Sequence, residues 1–291
     1  MKRIIALVLV CVMALAFAAC GQQTTTTTTT TDAQSDWDYI QGKGVLTIGV
    51  TNYPPMNYLD DAGQWTGFDT EFAQAVCEKL GIKAEFVEIS WEAKETELAS
   101  KNIDVLWNGM CITEDRKEMW EVTKPYMYNT QAMVMKADKA EEIMADVAGK
   151  KVVAEAGSTG EEKITGVIDD TTDNTVVVMA KDYFKDAEYV GVESMATALM
   201  DVQNGVADIA VVDSVIAQGM IEGEGSTLTD LVINTDNKFG DQYFGIAFRK
   251  GSDACEKINA AIAELTESGD LLKIAEKYGL ADGIEAAKNA Q

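Results

Sequence analysis

From about residue 37 the chain alternates short apolar runs with amphipathic stretches. "VLTIGV" (45–50) has the length and continuity of a buried strand, and "TEFAQAVCEKL" (70–80) sets Phe72, Val76 and Leu80 at helical spacing before Gly81 stops it. "AEFVEI" predicts a strand, "EAKETELAS" a helix, and "IDVLW" (103–107) a strand that runs into a glycine turn. After a link near 132–136 the scheme restarts. "KKVVAEA" (150–156) predicts a strand and Ser158 opens a helix, followed by a section to about 190 of ambiguous periodicity. "ESMATALMDVQN" (193–204) then places Met195, Leu199 and Val202 on one helical face with Gly205 as its stop, and "ADIAVVD" (207–213) is a buried strand. "CEKINAAIAELTES" and "DLLKIAEKYGL" close the chain as helices. The alternation predicts an α/β protein with parallel sheets covered on both faces. "LASKNIDVL" and "LMDVQNGVADIAV" each run from helix through a break to an acid and a strand, a weak repeat that fits two similar halves.

The N-terminus follows a different pattern. Lys2 and Arg3 precede an apolar run from Ile4 to Phe17 and then small residues before Cys20, as in a secretory signal. "FAAC" followed by Gly21 resembles a bacterial lipobox, with Phe17 where leucine is usual. Residues 1–19 therefore read as a signal peptide and Cys20 as the site of lipid attachment, with ordinary signal cleavage as the alternative. The threonine-rich stretch to residue 36 reads as a polar tether.

Composition narrows the chemistry. Of 291 residues, 24 are Lys or Arg and 48 Asp or Glu, and the formal charge of −24 argues against nucleic acid or an anionic lipid surface as partner. Histidine is absent, which removes His-dependent triads and histidine metal sites. Beyond Cys11 and Cys20, the cysteines at 77, 111 and 255 are too widely spaced for a disulfide framework or a zinc site and read as free thiols. No metal, cofactor or catalytic residue is expected.

In open α/β sheets, ligands bind beyond the carboxyl ends of the strands. There the chain offers Tyr53 between Asn52 and two prolines, "NGMCITEDR" with Arg116, "GSTGEE" with Ser158 and Thr159, and Asp213. One cation, one anion, small donors and an aromatic suit a zwitterion. Each residue also has a plainer reading. Arg116 could pair on the surface with Glu114 or Asp115, Asp213 could cap the following helix, and Ser158 with Glu161 has capping-box spacing. Trp91 could be core, and Asp69 with Glu71, at i and i+2, would serve helix entry rather than act as a carboxylate pair.

"GFDTEFAQAVCEKL" (67–80) resembles the signature of the extracellular solute-binding proteins, family 3, the polar amino-acid receptors of ABC importers. The resemblance covers about 38–280 and includes "VLTIGVTNYPPMNYLDDAGQWTGFD", "NIDVLWNGMCITEDRKEMWEVTKPYM", "GSTGEE", "NGVADIAVVD" and "YFGIAFRKGS". It implies two Rossmann-like α/β lobes joined by a two-strand hinge, the type II periplasmic-binding-protein fold. Lobe 1 would span 37–132 plus 241–285, lobe 2 133–240, and 286–291 would be a tail. It also implies that Arg116 holds an α-carboxylate with help from Gly109, Cys111, Ser158 and Thr159, and that Asp213 takes the α-ammonium. Tyr53 and Trp91 would sandwich the side chain and Asn108 would read it. Cys111 stands where such motifs usually carry Ser or Thr, and the turn near Tyr53 lacks the acid some relatives carry. The implied protein is a monomeric, lipid-anchored receptor outside the cytoplasmic membrane that hands an amino acid to a permease and its ATPase. The competing readings are a sensory module docking a membrane receptor or kinase, and a dehydratase-type enzyme. For the latter the strand-end loops offer no spare acid beyond Glu155 and Glu161.

Overall fold

The computed structural model describes residues 35–166, 180–223, 225–234 and 239–289. The signal, Cys20, all but the end of the tether, and part of the ambiguous section lie outside these residues. The described fold opens two residues before the expected start, because the Ser35 side chain accepts from the Asp38 N–H and caps the helix Asp36–Lys43.

Twelve strands are described. They are β1 (Val45–Val50), β2 (Tyr58–Leu59), β3 (Trp65–Thr66), β4 (Lys83–Glu88), β5 (Val105–Cys111), β6 (Trp120–Val122), β7 (Met127–Lys136), β8 (Lys151–Glu155), β9 (Glu188–Val192), β10 (Ile209–Asp213), β11 (Leu231–Asn234) and β12 (Asp241–Arg249). β2 and β3 form a small ribbon, and the rest join one sheet whose main order is β4-β1-β5-β12-β7-β10-β8-β9. The outer parts are parallel, β4 with β1 with β5 and β10 with β8 with β9. The centre is not. β12 runs antiparallel to both β5 and β7, and β7 antiparallel to β10. The expectation of parallel sheets thus holds only at the flanks, because β12 returns from late in the chain to pair across both halves.

The expected link at 132–136 is also corrected. These residues are the buried second part of β7, which pairs with β12 through Met127–Thr130 and with β10 through Gln131–Val134. The chain therefore passes from one half of the sheet to the other along a strand and not along a loop. Similarly, β5 does not stop at Trp107 but continues to Cys111, and Gly109 takes a left-handed φ of 57° inside it. The β5–β12 register shifts between Gly245 and Ala247, so this is an irregular strand end and not a turn.

The weak repeat has a physical basis. Asp104 Oδ2 accepts the Thr47 N–H at 2.8 Å, and Asp208 Oδ2 accepts the Lys151 N–H at 2.9 Å. In each half an acid after the helix thus tethers the start of the half's first strand. Apolar faces then pack as the periodicity predicts. Phe68, Phe72 and Val76 of the helix Phe68–Leu80 are fully buried, with Phe72 edge-on to Trp107 at 5.0 Å between ring centroids. Each such side chain contributes about 1.5–3 kcal/mol. The helices Ala254–Ser268 and Asp270–Lys277 cover the first half. A last helix, Ala281–Asn289, buries Ile284 and Ala287, so most of the stretch read as a tail is helical. The three thiols of Cys77, Cys111 and Cys255 are free and buried.

Candidate functional site

All nine sequence-derived ligand-binding candidates line a single cleft, together with Glu155 and Met195. Residues 53, 91, 108, 109, 111 and 116 come from the first half of the sheet and its loops, and 155, 158, 159, 195 and 213 from the second. The walls touch, and the cavity between them is only about 10 Å3. A larger cavity of about 480 Å3 lies elsewhere, between the helices Ala254–Ser268 and Ala281–Asn289, and its charged lining residues, Lys124, Glu267 and Lys288, are exposed and not buried.

Arg116 is fixed by local structure. Thr113 caps the helix Glu114–Met119, its hydroxyl accepting the Arg116 N–H at 3.2 Å, and the guanidinium turns inward. It is 4% exposed, so the surface-pair reading fails: Glu114 pairs instead with Lys117. Nη1 donates to the Cys111 carbonyl at 2.8 Å, and Nη2 reaches Glu162 Oε1 of the other half at 3.5 Å. Ser158 caps the helix Thr159–Thr165 by accepting the Glu161 N–H. The Glu161 carboxylate takes the Gly157 N–H at 2.6 Å, so the box is shifted by one residue from the usual reciprocal form. The Thr159 hydroxyl faces Cys111 Sγ at 3.6 Å.

Asp213 occupies the N-cap position of the helix Ser214–Ile221, yet its side chain caps nothing there. The carboxylate turns into the cleft, 1% exposed. Oδ2 accepts from Tyr53 OH across the cleft at 2.8 Å, and Oδ1 accepts from Asn129 Nδ2 at 2.7 Å and from Gln131 Nε2. Burial raises its pKa, against the lowering effect of these donors and of Arg116. Burial and the Asp213 charge together hold the Tyr53 phenol well above its ordinary value.

The remaining candidates divide. Trp91 is buried and stacks under the Lys94 ammonium, 5.2 Å from the ring centroid. Gly109 packs against the Tyr53 ring so closely that a Cβ would lie 2.6 Å from Tyr53 Cε1. Its N–H donates to Asp69, whose carboxyl also accepts from Tyr126 OH at 3.0 Å. Asp69 is thus a buried support for the cleft floor, while Glu71 meets Lys277 and Tyr278 on the outside. Asn108 lines the cleft, but its amide bonds to Thr51 Oγ1, the Thr51 N–H and Asn57 Nδ2. These bonds tie the strand ends together. The Cys111 thiol is buried, and burial raises its pKa strongly. Its contacts, 3.5 Å to Gln242 Oε1 and 3.8 Å to Asp213 Oδ1, are weak.

Sequence reasoning missed Asn129 and Gln131 of β7, which donate to Asp213, and Gln242 of β12, whose Oε1 accepts from both. Their signal was present: Asn129 and Gln131 are the polar residues at i and i+2 in the otherwise largely apolar β7. It also missed Lys94 and Met195 and gave Glu155 no binding role. Glu155 ends β8 at 3% exposure, and burial raises its carboxyl to about 8. Lys94 is likewise buried, which lowers its ammonium to about 8.

Residues 46–281 match the family described as bacterial extracellular solute-binding proteins, family 3. The chain is 31% identical to the L-cystine-binding protein TcyJ of Escherichia coli over 84% of its length and 85% of the relative's. It is 30% identical to the L-cystine-binding protein TcyA of Bacillus subtilis, over 83% of this chain and 84% of that one. A solved ABC uptake transporter substrate-binding protein from Streptococcus pneumoniae with bound histidine superimposes with a TM-score of 0.74 at 30% identity, covering 84% of this chain and 96% of that one. An ancestral amino acid-binding protein described as a precursor of cyclohexadienyl dehydratase gives a TM-score of 0.70 at 28% identity, covering 84% and 99%. With more than half of its length matched and its fold shared with these structures, the chain belongs to family 3 of the bacterial extracellular solute-binding proteins.

Proposed function

We propose that the protein binds a free amino acid as a zwitterion, clamped between two lobes, and delivers it to an ABC-transporter permease and its ATPase. One observation carries this reading: a buried guanidinium and a buried carboxylate, Arg116 and Asp213, face one cleft from opposite halves of the sheet. Arg116 offers a planar fork to the α-carboxylate, supported by Gly109, Cys111, Ser158 and Thr159. Asp213 accepts from the α-ammonium, with Tyr53 and Trp91 against the side chain. The two fixed charges cancel, which suits an ion that is neutral overall.

Ligand entry requires the walls to part. Tyr53 to Asp213, Lys94 to the Gly157 carbonyl and Arg116 to Glu162 then open together. With lobes taken as 37–132 plus 241–285 and 133–240, β7 carries the chain from the first lobe to the second, and β12, which pairs with it, begins where the chain returns to the first. A ligand touching both walls binds the closed form better and shifts the population towards it. An amino acid has roughly ten heavy atoms, and micromolar binding asks about −0.8 kcal/mol of each, which near-complete burial supports. The similar proteins named above are binding proteins, which favours a receptor over an enzyme. A lipid at Cys20 and a tether to residue 36 would hold a monomeric receptor at the outer face of the cytoplasmic membrane.

The test is thermal unfolding of the protein, stripped of ligand by unfolding and refolding, against the twenty amino acids and cystine, beside Arg116→Ala. A stabilising amino acid whose effect is lost in the variant supports the clamp. A folded protein that none of them stabilises sinks it.

A further inference from the structure

Arg116 already touches a carboxylate. Its Nη1 donates to the Cys111 carbonyl at 2.8 Å, and its Nη2 meets Glu162 Oε1, carried on the helix Thr159–Thr165 of the opposite wall, at 3.5 Å. The other acids nearby are engaged elsewhere. Glu161 accepts the Gly157 N–H at 2.6 Å and Tyr189 OH at 2.9 Å, and Asp213 accepts from Tyr53, Asn129 and Gln131. Glu155, pushed up to about 8 by burial, carries its proton at neutral pH. The Arg116–Glu162 pair is lopsided. The arginine side chain is 5% exposed and the glutamate 23%, and 3.5 Å is long for a charge-assisted bond, which closes to about 2.7–2.9 Å. The arginine is fixed in place, whereas the glutamate has water to turn to, and its charge also acts on the Lys94 ammonium. A guanidinium grips a carboxylate with two parallel bonds along either of two edges, Nη1 with Nη2 or Nε with Nη2. Both edges include the nitrogen that Glu162 contacts. An incoming α-carboxylate therefore displaces Glu162 or comes to rest against its charge, and both count against binding.

We propose that Glu162 is an internal competitor: its carboxylate holds the place of the ligand's on Arg116, lowers the affinity for any amino acid, and returns to the guanidinium as the ligand leaves. The proposal rests on the reading of Arg116 as the holder of the α-carboxylate. It makes Glu162 an affinity-determining residue of unusual sign, since removing a residue that holds the ligand weakens binding and removing a competitor tightens it. A glutamate that oriented Arg116 for the ligand would be needed in the complex, and its loss would weaken binding too. Stability separates the two roles as well. A contact made in the ligand-free protein and given up in the complex is lost from the stability of the ligand-free form alone, and reappears in equal measure as affinity.

The test is titration calorimetry on the full chain in mild detergent with the twenty amino acids and L-cystine, for the wild-type protein, Glu162→Gln and Glu162→Ala. Each protein is also unfolded thermally, stripped of ligand and again with the tightest-binding probe at saturation. Every probe that binds the wild-type protein is expected to bind Glu162→Gln about three- to tenfold tighter, and Glu162→Ala at least as tightly as that. The stripped variants should unfold about 2–4 °C below the wild-type protein, and saturating ligand should bring the three Tm values together. Glu162→Gln keeps the shape of the side chain, so it carries the test if the alanine variant does not fold. Affinities within about twofold of wild type, or weaker binding by a folded variant, overturn the competitor and leave the zwitterion clamp standing. If the folded wild-type protein binds none of the probes, the zwitterion reading falls and this proposal with it.

Discussion

Replacing Asp213 by Asn should stabilise the ligand-free protein and abolish binding. The side chain is 1% exposed and accepts from Tyr53, Asn129 and Gln131. An Asn amide keeps this geometry, because its oxygen can replace Oδ1 and its NH2 can donate to Tyr53 OH, which rotates to accept. Each of three bonds falls from about 2 to about 1 kcal/mol when the acceptor loses its charge, a loss of about 3 kcal/mol. Against this, a buried carboxylate carries a desolvation penalty of several kcal/mol that the amide avoids. The raised pKa of Asp213 shows that desolvation outweighs the donors, which sets the sign. A net gain of about 1–2 kcal/mol should raise Tm by about 3–6 °C at pH 7 in the stripped protein. Binding should move the other way. An α-ammonium buried without a carboxylate loses about 3 kcal/mol or more, over a hundredfold in Kd. Calorimetric titration with the best-binding amino acid, alongside scanning unfolding, reads both effects. A variant that binds within threefold of wild type would refute the reasoning, and so would a fall in Tm of several degrees.

Two further outcomes follow from the same geometry. Gly109→Ala forces a side chain into a left-handed φ of 57° and sets its Cβ 2.6 Å from Tyr53, so it should cost about 2 kcal/mol and lower Tm by about 4–8 °C; an unchanged Tm would mean the ring moves freely. Burial raises Asp69 to about 7 and Glu155 to about 8, so the native state keeps both protons where the unfolded chain has lost them. Their contribution is complete below about pH 4 and is lost as pH rises through 7 and 8. Denaturant unfolding from pH 4 to 8.5 should show that decline, and Glu155→Gln should flatten its upper part; an equal slope in the variant would remove Glu155 from the account.

Much of the site was legible because chemistry in an open α/β sheet gathers at strand ends, a rule that needs only strand positions. That is how Arg116 and Asp213, nearly a hundred residues apart, could be paired before their contacts were seen. Spacing alone could not choose between a cap and a ligand acceptor at Asp213; the direction of the side chain rules out the cap, and that follows from tertiary packing. Asn129 and Gln131 escaped because no strand was assigned before the expected link at 132–136, so nothing in the sequence placed these two polar residues beside Asp213. The antiparallel centre escaped as well, since the return of β12 to β5 is a contact between distant segments that leaves no local periodicity. β5 was read short for a related reason: glycine signals a turn, but at Gly109 it allows an irregular strand to bring Cys111 to the cleft.

The central claim is that the cleft recognises both charges of an amino acid. It is tested most directly by calorimetry of the wild-type protein with its best-binding amino acid and with two derivatives, the α-carboxamide and the N-acetyl form. Each derivative removes one charge and leaves the side chain intact. The account predicts that each binds about a hundredfold or more weakly than the parent. Either derivative binding within about threefold of the parent would contradict it.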